Sequence, residues 1–214
     1  MIRGLFFACA LLFGLTVLLL NLDRGPVQAV GVQGESVAAA AASPAEWGPV
    51  PAFSLTDQTG AALSLEDLRG APFALAAIFS TCTGPCPMIT RHMWELQQAL
   101  QDTGVRLISV SVDPETDTPE VLAAYAKSYA ADSQRWSFLT GVESEIFELL
   151  KGGLWLGVER VEVDQAVLGM QVSHAAKIVA VDAQGHKRGW YDGEDPKAMQ
   201  LLEARLRFLD EEAR

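Results

Sequence analysis

Two apolar runs separated by one helical repeat constrain this chain more than any other stretch. Phe73 to Phe79 (FALAAIF) has no polar residue on either face, as a strand covered on both sides requires. Val105 to Val112 (VRLISVSV), apolar apart from Arg106, Ser109 and Ser111, is a second buried-strand candidate. Between them Ile89, Met93, Leu96 and Leu100 recur at intervals of three and four, one face of a helix over Met88–Gln101 that Gly104 ends. Strand, helix and strand in succession make a right-handed crossover, so the two strands should lie parallel in one sheet.

The flanking segments extend that unit. Upstream, Pro49 to Leu55 reads as a short extended run, Thr56 to Gly60 as a polar turn and Ala61 to Leu63 as a second short strand. Ser64 then caps a helical turn that stops at Gly70. Downstream, Thr118 and Pro119 supply the cap and first turn of a helix from Glu120 to about Ala131. A strand at Trp136–Leu139 and a helix over Val142–Leu150 follow, and Gly152 with Gly153 breaks that helix. Alternating Val158, Val161 and Val163 suggest a ribbon or excursion within residues 152–171. Ala175 to Val181 reads as a strand, Asp182 to Gly185 as a turn and Lys187 to Tyr191 as its hairpin partner. Asp195 and Pro196 open a last helix with Met199, Leu202, Leu206 and Leu209 on one stripe. This order predicts a thioredoxin-like α/β sandwich.

Hydrophobic residues make up 50% of the chain, and part of that excess sits at its start. Gly4 to Leu20 carries no charge and Arg3 precedes it, which predicts a signal anchor or signal peptide over residues 1–20, the uncleaved anchor being favoured. Cys9 within it reads as a small apolar residue. Residues 21–48, rich in Ala, Gly, Val and Ser, read as a flexible linker, and residues 49–214 as the exported domain. The domain would then be held at the inner membrane on the periplasmic side. The net charge is −11, and from Trp47 onward 14 Lys and Arg face 24 Asp and Glu. Such a surface repels phosphate backbones and excludes a nucleic-acid-binding role.

The chemistry sits where the first apolar run meets the helix. Cys82 and Cys86 stand four positions apart in CTGPCP, and Pro87 suits the first helical turn. A helix N-terminus favours thiolate. Three fates stay open for such a pair: a disulfide, an attacking thiol with its resolving partner, or a soft-metal site. A disulfide would close too short a loop to stabilise much, and thioredoxin-type catalysts use two intervening residues where this chain has three. A metal needs a third ligand. His92 lies too far along the helix and His186 falls in the hairpin turn, whereas His174 precedes a core strand where loops of this fold approach the cysteines. Two thiolates and one imidazole suit Cu(I) and admit Cu(II). Asp113 reads as a structural or hydrogen-bonding residue.

Three strings in this order, FSTCTGPCP at 79–87, VDPETDTP at 112–119 and VSHA at 172–175, resemble the SCO/SenC family of cytochrome c oxidase copper chaperones, over roughly residues 50–209. The resemblance implies that Cys82, Cys86 and His174 bind copper and that Asp113 is an acidic residue near the site. It further implies a membrane-tethered metallochaperone that delivers copper to the binuclear centre of a copper-accepting oxidase subunit during assembly. The rival reading is a thiol-disulfide oxidoreductase that reduces the cysteines of that subunit, with Cys82 attacking and Cys86 resolving. Thr83, Gly84 and Pro85 depart from the family, whose members commonly carry Pro and an acidic residue between the cysteines, and Ser173 stands where they carry Asp.

Overall fold

A computed structural model describes residues 47–160, 172–174 and 176–214. The anchor expected at residues 1–20, the linker up to residue 46 and the stretch 161–171 lie outside the described residues. Among the described residues no helix is long and apolar enough to cross a membrane.

The crossover read from the sequence is the centre of the molecule. Strand β3 (Phe73–Ile78) is buried at every position and pairs in parallel with β4 (Arg106–Ser111), Phe73 opposite Arg106 and Ile78 opposite Ser111. Helix α2 (Cys86–Ala99) joins them and buries Ile89, Met93 and Leu96. A second crossover, through α3 (Pro119–Ser128), leads to β5 (Trp136–Thr140), again parallel to β4. Because both right-handed crossovers step the same way along the sheet, α2 and α3 cover one face. Their contact is polar as well as apolar: Thr90 Oγ1 and Tyr125 Oη lie 2.9 Å apart, and Gln97 donates to the Ala130 carbonyl while accepting from Asp132 N–H.

Antiparallel strands close both edges. The hairpin of β1 (Ser54–Asp57) and β2 (Ala62–Ser64) joins at β5, and β8 (Lys177–Val181) with β9 (Lys187–Asp192) joins at β3. The sheet order is therefore β2-β1-β5-β4-β3-β8-β9. Short helix α1 (Leu65–Leu68) starts from a capping box in which the Ser64 side chain accepts from Asp67 N–H and the Asp67 carboxylate accepts from Ser64 N–H. The last helix, α5 (Pro196–Glu212), is capped by Asp195 and packs on β8 and β9. It also reaches α2, where Arg207 donates to the Ala99 carbonyl and pairs with Asp102. This is the thioredoxin-like sandwich the element order predicts. The chain from Trp47 to Val50 lies along the start of β9 and the turn before it: Trp47 N–H donates to the Lys187 carbonyl and Lys187 N–H to the Gly48 carbonyl. Two residues of the predicted linker thus belong to the sheet edge.

Two helices end differently from expectation. Helix α3 stops at Ser128 rather than near Ala131, because Ala130 takes a left-handed backbone (φ 51°) and Ala131 N–H returns to the Ala126 carbonyl. The segment predicted as a helix over Val142–Leu150 is a short α-helix, α4 (Glu143–Phe147), that widens into a π-helical turn over Glu148–Gly153. The wider turn closes with Leu154 N–H on the Leu149 carbonyl and buries Leu149, Leu150, Gly153 and Leu154 together. Beyond it β6 (Val158–Arg160) and β7 (Val172–His174) form a separate two-stranded ribbon, as the valine alternation suggested for its beginning; Val161 and Val163 fall outside the described residues.

Gly153 is required in that turn. A Cβ there would fall on the Pro51 ring, 2.6 Å from Cδ, whereas a Cβ on Gly152 meets nothing within 4 Å. Gly153→Ala should lower unfolding stability by about 1–3 kcal/mol in a denaturant titration, while Gly152→Ala leaves it unchanged or slightly raised.

Candidate metal centre

The sheet's strand directions collect the predicted site residues at one end. Strands β3 and β4 are parallel, so the loop bearing Cys82 and the loop bearing Asp113 both leave from their C-terminal ends. Strand β8 is antiparallel to β3, with Ile178 opposite Ala76, so it begins at that same end. His174 closes β7, three residues before β8 starts. It is therefore a strand residue itself, paired with Val158 of β6, rather than the tail of a loop. Its backbone is described and its side chain is not.

Local contacts carry the chain past α2 at that point. Gly193 N–H donates to the Ala176 carbonyl at 2.7 Å, and a Cβ on Gly193 would meet Ile89 Cγ1 and Ile178 Cδ1. The Gly193 carbonyl in turn lies 2.6 Å from His92 Nδ1. Thus Ala176, two residues from His174, is held by Gly193, which packs on Ile89 in the first turn of α2 after Cys86. His92 in turn bonds to the backbone of the segment that packs on α2. His186 lies in the β8–β9 turn, half-buried, with its N–H on the Asp182 carboxylate.

Cys82 and Cys86 are not joined in a disulfide; both are buried, and their side chains are in contact with each other. Cys82 lies in the loop after β3, where its N–H donates to the Phe79 carbonyl and its Sγ accepts from Gly84 N–H at 3.3 Å. Cys86 is the first residue of α2, with Pro85 as cap and Pro87 in the first turn. Burial above all, and then the hydrogen-bonded Cys82 thiol, push the Cys86 thiol far above its ordinary range; backbone hydrogen bonds at Phe79 and at Cys86 itself oppose this and lose. Tyr125, hydrogen-bonded to Thr90 behind Cys86, is also pushed up, by burial first. A thiol held neutral in this way is a poor attacking group until a soft cation takes the place of its proton.

Two sulfur donors in contact beneath exposed Thr83 and Gly84 fit a soft metal that needs one more ligand. Among the described side chains no three His, Cys, Asp or Glu groups come together as a metal cluster. Asp113 does not close the set: it is half-exposed, and its backbone does the structural work, its carbonyl accepting from Thr116 and Asp117 N–H.

The acidic residue that shapes the site is Asp117, which sequence reasoning passed over. It is fully buried, and its carboxylate accepts from Ser80 N–H and from the hydroxyls of Ser80 and Ser111. The carboxylate therefore ties the start of the cysteine loop to the end of β4. The sequence signal was available in the second Asp of VDPETDTP, together with a serine two residues before Cys82 and another at the end of the second apolar run.

Comparison with known proteins places this arrangement. The family model described as SCO1/SenC matches residues 43–208. The SCO1 protein homolog of Bacillus subtilis (strain 168) is 35% identical over 147 residues, 67% of this chain and 74% of that one. A Stutzerimonas stutzeri protein provisionally named as copper-binding is 29% identical over 143 residues, 65% of this chain and 67% of its own. Among solved structures, that of BsSco, described as a member of the Sco family of cytochrome c oxidase assembly proteins with a disulfide switch, superposes with a TM-score of 0.65 at 31% identity. It covers 77% of this chain and 94% of BsSco. The chain belongs to the SCO1/SenC family.

Proposed function

We propose that this protein is a membrane-tethered metallochaperone that delivers copper to the binuclear copper centre of cytochrome c oxidase during its assembly, from the periplasmic side of the inner membrane. Copper is its cargo. The observation that carries this reading is the pair of buried, mutually contacting thiols at the sheet end to which β8 returns the chain just after His174. Cys82 and Cys86 supply two thiolates and His174 the imidazole, a soft low-coordinate set for Cu(I) that also admits Cu(II). Membership of the SCO1/SenC family and the copper-binding name of the Stutzerimonas relative support it.

Delivery proceeds by exchange of ligands. Thiols of the accepting subunit replace Cys82, Cys86 and His174 one at a time, so the ion passes between proteins without entering water. Each thiolate given up by the metal takes back a proton, which the buried Cys86 site favours. Asp117 keeps the cysteine loop in place through Ser80 while the ligands change.

The contact between the two thiols also supports a second reading, in which they cycle through a disulfide and reduce the cysteines of the target subunit. The relative BsSco is described as having a disulfide switch. The two readings separate on His174, which thiol exchange does not need.

Copper titration of the protein should give one tightly held Cu(I), lost or greatly weakened in Cys82→Ala, Cys86→Ala and His174→Ala. Full, tight binding by the His174 variant would sink the three-ligand site. Metal-free turnover of a disulfide substrate should be slow; fast turnover indifferent to His174→Ala would establish the reductase instead. Asp117→Ala strands a buried N–H and two hydroxyls, and should cost roughly 2–4 kcal/mol in urea unfolding as well as weakening copper binding. Asp113→Ala should change stability by no more than about 0.5 kcal/mol.

A further inference from the structure

Three tryptophans distant in sequence meet at the β9 edge. Trp190 is stacked against Trp155, with ring centroids 5.3 Å apart and planes inclined by 16°, and Trp47 meets it edge-on at 5.4 Å and 76°. The Trp190 N–H is spent on the Leu154 carbonyl at 2.7 Å. The Lys187 ammonium sits 4.5 Å from the centre of the Trp155 ring and donates to the Gly153 carbonyl. Although held from within by these contacts, Trp47 and Trp155 remain 49% and 58% exposed. Trp155 also has a left-handed backbone (φ 55°), which costs a bulky residue about 1–2 kcal/mol. The fold thus spends free energy to present indole to the outside.

We propose that Trp47, Trp155 and Trp190 form a platform that seats the domain on the lipid–water interface of the membrane. Indoles favour the headgroup level, where the ring is sheltered and the edge is wet. Trp47 is where the chain enters the described domain from the uncharged run at residues 4–20, with only residues 21–46 between them. On the reading of residues 21–48 as a linker, a chain of that length and composition would reach roughly 30 Å, so the bilayer would be at high effective concentration and a modest surface affinity would suffice. An acidic domain would be repelled by anionic lipid, so the contact is interfacial rather than electrostatic, and a zwitterionic surface serves. Trp155 lies three residues before Val158, the partner of His174, so seating the platform also fixes the ribbon bearing His174 relative to a membrane-bound copper acceptor. The proposal rests on the reading of residues 1–20 as a membrane segment.

The test is quenching of the full-length protein in phosphatidylcholine vesicles brominated near the headgroup, with flotation measured on the same samples. All five tryptophans lie at or beyond residue 47, so emission reports the domain alone. Quenching should be marked, should persist at high salt, and should be unchanged in Trp94→Phe. In Trp155→Asn, a substitution that tolerates the left-handed backbone, quenching of the remaining indoles should fall to a small residue while circular dichroism is unchanged. Flotation without quenching overturns the platform and leaves the anchor standing; failure to float overturns both. Quenching lost in Trp94→Phe and kept in Trp155→Asn puts a different face on the membrane. That result overturns the platform.

Discussion

The antiparallel pairing of β8 with β3 is the constraint on which the site depends. Strand β3 lies between a parallel neighbour, β4, and an antiparallel one, β8. The parallel neighbour sends the acidic loop out at the end where the cysteines leave. The antiparallel neighbour brings the chain in at that end, immediately after His174. Were β8 parallel to β3, its start would lie at the opposite end of a six-residue strand, roughly 20 Å away. No third ligand could then reach the thiols from that direction.

Within that frame the cysteine loop is positioned by polar contacts, and burial keeps the Cys86 thiol neutral. Asp117 holds Ser80 and Ser111, so the loop begins from a fixed point although it lacks an internal capping side chain. Gly84 N–H turns toward the Cys82 sulfur, and Tyr125 with Thr90 closes the space behind Cys86. The result is a pair of adjacent thiols of which Cys86 is reluctant to ionise, an arrangement suited to taking up a soft ion and giving it back.

The parts of this fold that depend on local repeats were legible in the sequence. The apolar periodicity of α2, the two-sided burial of β3 and the caps at Ser64, Thr118 and Asp195 all stand where the residues put them. The two cysteines were equally plain, because their spacing at a strand–helix junction is a local fact. Features set by distant partners were not. Ala130 gives no glycine to announce a left-handed turn, and Gln97 supports that turn from another helix. The π-helical turn answers to the burial of Leu149, Leu150 and Leu154 against the rest of the core, which helical spacing alone does not report. Asp117 and Ser80 are 37 positions apart, so nothing local separates Asp117 from Asp113 as the residue that supports the site. The tryptophan cluster joins residues 47, 155 and 190 and has no counterpart in any single stretch.

The central claim is a copper centre of two sulfurs and one imidazole, and X-ray absorption of the Cu(I)-loaded protein measures that set directly. The account predicts two sulfur scatterers and one nitrogen scatterer with the outer-shell pattern of an imidazole ring, the nitrogen disappearing in His174→Ala. A first shell of sulfur alone in the unaltered protein would contradict it, as would an imidazole signal that survives removal of His174.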